Sequence, residues 1–300
     1  MNIKQDKQDL EKTLRQYLEN TSGRAWLQSL DETTIGMVAD KLIRENTFGD
    51  QELLNKTIYG VWGEPALHDF IRHTIWCAHR EALHRGTHPE KTNQQIVFQY
   101  SGIEHLQLTI GRPTIIVSPM TICTDDAVDG ILSVFKKYQP SRKIIFYGEN
   151  MDSYLERHPE HRSLFATDTI SGIRQILSVL REGGVFLTYP DFVYNNHKAN
   201  ETQLFGRPRP ISAGLLKIAT HTNAILLPAV MKRISHTIQL CFFGSITQTE
   251  APAPTDSKLR EQVLAIVISR LLEALILQVP AQWRLLPTLS HEAAEVEMTS

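Results

Sequence analysis

The change of hydrophobic period near residue 90 constrains this chain more than any other feature. From Lys7 to about Arg85, apolar side chains recur at three- and four-residue steps: Leu10, Leu14, Tyr17 and Leu18, then Met37, Val38, Leu42 and Ile43, then Phe70, Ile71, Ile75 and Trp76. Such spacing predicts helices with one buried face. After Gly86 and Pro89 the pattern turns to short β-rich runs: IVFQY at 96–100, LQLTI at 106–110, TIIVS at 114–118, KIIFY at 143–147, GVFLTY at 184–189, AILLPAV at 224–230 and TIQLCFFG at 237–244. Helical patterns at Asp126–Tyr138, Thr169–Arg181 and Ser212–Thr220 alternate with them. Strands alternating with helices predict an α/β fold with a largely parallel central sheet flanked by helices. The expected organisation is a helical region over residues 1–90, an α/β domain over 91–290 and a solvated tail at 291–300. A proline-rich stretch at 251–256 precedes a long helix from about Lys258 to Leu277, which Asp256 or Ser257 can cap.

A chain of 300 residues can bury roughly three quarters of its unfolded surface, so it needs no staples. Thirty-one basic against 33 acidic residues leave a net charge of −2, spread without long blocks, which disfavours nucleic acid as a partner. Cys77, Cys123 and Cys241 are widely spaced and odd in number, as expected of reduced thiols in a cytoplasmic protein. The charged amino terminus has no apolar core of a signal peptide. The most apolar helix-length stretch, Val263 to Val279, is broken by Arg270 and Glu273, so no membrane span is expected.

No dinucleotide fingerprint, phosphate-binding loop or G-x-S-x-G elbow occurs, and no cofactor is expected. Asp125 and Asp126 stand together at the start of a predicted helix, where carboxylates cap free amides or, at a strand's carboxyl end, face a ligand crevice. Cys123 shares that turn; it is either an acyl-accepting nucleophile or a small buried hydrophobe, and no histidine adjoins it in sequence. Tyr189-Pro190-Asp191 ends a strand, placing a phenol and a third carboxylate where they serve either a turn or an oxyanion. Lys198, Arg207 and Arg209 fall in what reads as a polar loop, suited to a phosphate. Five histidines crowd residues 68–88; His73 and Cys77 share a helical face, but no third metal ligand can be assigned, and no metal site is expected.

Read in order, several segments resemble the bacterial lipid A biosynthesis acyltransferases, the lauroyl and myristoyl transferase branch of the lysophospholipid acyltransferase superfamily. GRPTIIVSPMTICTDDAVDGIL stands where that family has a strand, its H-x4-E/D motif and a helix; KIIFYGENMDSYL resembles the next strand and turn; LREGGVFLTYPDF resembles the strand ending in Pro-Asp. LFGRPRPISAGLLKIATHTNAILLPAVMKR resembles the Gly/Pro turn with the following helix and strand, and VPAQWRLL resembles the carboxy-terminal Pro-x-Gln-Trp segment. Two departures stand out. The histidine position of the motif falls on Met120 if Asp125 is the acid, or on Thr121 if Asp126 is. The arginine that relatives carry after the second strand's tyrosine falls at Gly148.

The resemblance implies an acyltransferase without the relatives' apolar anchor. It would move an acyl group from an acyl carrier protein or coenzyme A thioester to an amine or hydroxyl on a small molecule or lipid. Asp125, Asp126, Tyr189 and Asp191 would be the working groups. A methionine cannot take a proton as the family's histidine does. Two other readings follow from that loss: a non-catalytic subunit or carrier-docking module, and a site altered to eliminate or cyclise a tethered intermediate.

Overall fold

The computed structural model describes residues 10–44, 64–85, 96–147, 151–167, 169–192, 199–247 and 256–285. The chain folds as two compact units, and the division is not the contiguous one expected. Thr121–Asp126 and residues 279–285 group with the amino-terminal helices, while the described residues of Ile96–Met120 and Ala127–Gln278 make the second unit.

In the helical unit, α1 (Leu10–Glu19), α2 (Thr21–Gln28), α3 (Glu32–Arg44) and α4 (Glu64–His84) form where the three- and four-residue spacing predicts them. Asn20 caps α2, its side chain accepting from the Ser22 amide at 2.9 Å, and Asp31 accepts from the Thr34 amide at 2.7 Å to start α3. Leu27, Ile35, Ile71, Ile75 and Trp283 are buried together with Ala39 and Ala82. Each large side chain among them contributes roughly 1.5–3 kcal/mol through burial. Buried polar contacts fix the register. The Gln28 amide donates to the Ala82 carbonyl at 2.7 Å, and His79 Nδ1 meets the Leu27 carbonyl at the same distance.

The second unit is built on a seven-stranded sheet. Its strands are β1 (Val97–Ser101), β2 (Thr114–Val117), β3 (Ile144–Tyr147), β4 (Phe165–Ala166), β5 (Val185–Thr188), β8 (Ile225–Ile234) and β9 (Thr237–Phe242), in the order β1-β9-β8-β2-β5-β3-β4. Every pairing is parallel except the β8–β9 hairpin. The central β2 is buried along its whole length, as a strand covered on both faces must be. Helices α6 (Thr124–Tyr138), α8 (Ile170–Arg181), α9 (Ala213–Thr222) and α10 (Ser257–Ile276) lie where the sequence pattern put them. Thr169 and Asp256 cap α8 and α10. The first residues of α6 count with the helical unit and the remainder with the sheet.

Two expectations fail. LQLTI is not a strand: α5 (Ile103–Gln107) and a turn occupy it, with Leu106 and Thr109 buried while Leu108 and Ile110 are exposed. The buried positions are three apart, and Gly102 at φ +68° starts the helical turn from a conformation that favours glycine. Arg207 and Arg209 do not sit in a loop. They lie on β7 (Arg207–Ser212), which pairs antiparallel with β6 (Ala199–Leu204) through a Phe205-Gly206 turn with both φ positive. Pro208 and Pro210 occupy alternate positions, so the amides between them remain available to the ladder. Among the described residues, no helix is long and apolar enough to cross a membrane.

Candidate active site

β2 and β5 are hydrogen-bonded neighbours with Val117 opposite Thr188, so the segments leaving their carboxyl ends emerge side by side. The Asp191 carboxylate, fully buried, accepts the backbone N–H of Met120 at 2.9 Å. Arg209 is buried as well and donates to the Asp191 carbonyl from Nη2 at 2.6 Å and Nε at 3.2 Å. The β6–β7 hairpin therefore braces the Tyr189-Pro190-Asp191 turn, which in turn holds the residue that ends the β2 loop. Beside this turn lies a cavity of about 400 Å³. Ile176 and Leu177 of α8, Phe186 of β5, and Leu215 and Ile218 of α9 form its apolar wall. Tyr147, Thr188, Tyr189 and Ser212 also line it, as do Lys217 and His221, one turn apart on α9. Arg181 of α8 approaches His221 Nε2 at 3.3 Å. The volume falls in the range of small-molecule sites, and the apolar wall with few polar groups suits a hydrocarbon chain. Asp125, Asp126 and Asp191 are absent from the lining residues.

Asp126 has a different setting, within the helical unit. Its carboxylate is gripped by Arg80 through Nε and Nη2 at 3.0 and 2.8 Å and by His84 Nε2 at 2.9 Å. Burial alone would raise this carboxyl, but the hydrogen bonds and charges of His84 and Arg80 overcome it and hold it well below the usual carboxylate range. Asp125, in the same first turn of α6, lies 3.9 Å from His84 Nδ1. The Cys123 thiol donates to Asp126 Oδ2 at 2.9 Å. Burial, then the Asp126 charge, pushes that thiol well above its ordinary value, so it is a protonated donor and not a thiolate. The Thr121 carbonyl meets His73 Nε2, which is also 3.4 Å from the Cys77 sulfur. His84 and Arg80 are the partners that sequence reasoning did not find. Their four-residue spacing put them on one helical face, but nothing local tied that face to Asp126. Lys198 and Gly148 fall outside the described residues.

Residues 90–289 match the family described as bacterial lipid A biosynthesis acyltransferase. The chain belongs to that family. No curated protein matches. Among solved structures, the 1-acyl-sn-glycerophosphate acyltransferase PlsC from Thermotoga maritima aligns with 14% identity and a TM-score of 0.36, over 74% of this chain and 93% of that one. By the sequence resemblance, Met120 or Thr121 would fall at the motif's histidine position of that family. The structure binds Met120 through its main chain to the Pro-Asp segment at the neighbouring strand end.

Proposed function

We propose that this protein transfers an acyl group from a thioester, carried by an acyl carrier protein or coenzyme A, to an amine. The observation that carries the reading is the apolar cavity beside the Tyr189-Pro190-Asp191 turn, whose Asp191 holds Met120 in place. The acyl chain would lie against Ile176, Leu177, Phe186, Leu215 and Ile218, leaving the thioester carbonyl among the hydroxyls of Thr188, Tyr189 and Ser212. Tyr189 would donate to the oxyanion that forms when the acceptor attacks. Asp191 and Arg209 position that segment. The rim formed by Lys217, His221 and Arg181 suits the phosphate of a pantetheine arm.

The missing histidine bears on the acceptor. A hydroxyl must lose its proton as it attacks, which is why general-base catalysis contributes about 10²–10⁴-fold. An unprotonated amine attacks through its lone pair, and its proton leaves afterwards to the departing thiolate. Amines with an ordinary value near that of an α-amino group, roughly 8, keep about one-tenth of their molecules unprotonated at pH 7, enough to attack without a base. A site without imidazole at 120 or 121 therefore favours amine over hydroxyl.

The test offers the purified chain a medium-chain acyl thioester with matched amine and alcohol acceptors and follows products by mass spectrometry. Amide formation that falls about 10²-fold or more in Tyr189→Phe is the expected result. Tight thioester binding with no transfer or hydrolysis would replace catalysis by the carrier-docking reading, which the buried Asp126 ion cluster and Met120 also fit.

A further inference from the structure

α7 (Asp152–Arg157) runs into a 3₁₀ turn over Pro159–Leu164, and the two place His158, Glu160 and His161 together on the sheet unit. Three donor atoms, one from each residue, lie within 4.8 Å of one another. His158 Nδ1 is 3.5 Å and His161 Nε2 3.8 Å from the same oxygen of Glu160. A tetrahedral zinc ion with bonds of ~2.1 Å separates neighbouring ligand atoms by ~3.4 Å, which the two distances to Glu160 approach.

The surroundings of His161 point the same way. The buried Tyr154 hydroxyl donates its one proton to Asp129 Oδ1 at 3.1 Å, and its oxygen is 2.9 Å from His161 Nδ1. Nδ1 is thus held by the Tyr154 oxygen, while Nε2 faces the Glu160 carboxylate. Fixing one ring nitrogen so that the other is presented as a ligand is how proteins orient metal-binding histidines. His158 and His161 stack with ring centroids 5.4 Å apart, and Tyr154 packs on His158 at 4.6 Å, which limits ring rotation.

We propose that His158, Glu160 and His161 bind a divalent transition-metal ion of the zinc type, with Tyr154 and Asp129 orienting the site and further positions left to water. The cluster of His84, Cys123 and Asp126 brings donor atoms equally close, but Arg80 already holds both Asp126 oxygens, and a second positive charge there would have to displace it. The surface cluster is partly open to solvent, so an ion has an entry path.

The full chain, freed of any affinity tag and stripped with chelator, is titrated with Zn²⁺ by calorimetry. One equivalent is expected to bind. Affinity should fall at least ~10-fold in Tyr154→Phe, which keeps the ring but not the hydroxyl, and further in His158→Ala/His161→Ala. Far-UV circular dichroism checks that the variants are folded. In the unaltered protein, Zn²⁺ should shield His158 and His161 from carbethoxylation more than the half-buried His68 and the exposed His236, a readout that needs no variant. The proposal fails if the unaltered chain takes up no zinc, if the double variant binds as the unaltered chain does, or if zinc shields all four histidines alike.

Discussion

Asp126 shows how one residue type at one position answers to packing and not to pattern. Two adjacent acids at a helix start read from sequence as caps or as crevice carboxylates. The structure gives Asp126 a guanidinium, an imidazole and a thiol, in a setting where removing one partner of a buried pair costs about 3–5 kcal/mol. Asp126→Asn is therefore expected to lower unfolding free energy by that order in urea titrations, so lost turnover in this variant would not by itself assign a chemical role. Asp125→Asn, at the less buried neighbour, is the cleaner probe. The pH dependence has a definite sign. The folded Asp126 carboxyl lies below its unfolded value near 3.9, so its contribution is complete above about pH 4 and is lost as pH falls further, an acid-side loss that Asp126→Asn should remove. The carboxylates were visible in the sequence; their partners were not, because Arg80 and His84 lie more than forty residues away and only tertiary folding selects them.

At the scale of elements, the runs that became β2, β3, β5, β8 and β9 were legible because continuous apolar β-branched stretches have few other places to go than the middle of a parallel sheet. The β6–β7 hairpin was hidden by two prolines and a charged alternation that reads as loop, and LQLTI by an accidental period of two. The hairpin matters for function, since its Arg209 braces Asp191. The cavity joins α8, α9 and β5, three elements that the sequence predicted singly without fixing their spacing. Leu177→Trp should narrow it and leave the sheet intact. The expected outcome is a shift of donor preference toward shorter acyl chains, read from kcat/KM over a chain-length series; an unchanged profile would move the acyl chain elsewhere.

Over the sheet unit as a whole, Arg142 connects what the strand order separates. Its guanidinium donates to the carbonyls of Thr109, Arg112 and Gly183, to the hydroxyls of Thr109 and Thr114, and to the Gln139 amide oxygen. Arg142→Met should destabilise this unit by at least ~2 kcal/mol in urea unfolding, since several acceptors lose a charged donor together. The division of the chain into two units was only partly legible: the helical and α/β halves showed in the periodicity, but the return of 121–126 and of the Trp283 segment to the helical side leaves no trace in a linear pattern. The tie between Met120 and Asp191 has one more consequence. It runs through the peptide amide, so it is blind to whichever side chain is carried at 120. The loop's mooring does not depend on its occupant, so placing an imidazole there needs no rebuilding of the berth. Met120→His should fold as the parent does, and any alcohol-acylating power it acquires should rise with pH through the imidazole range near 6.5.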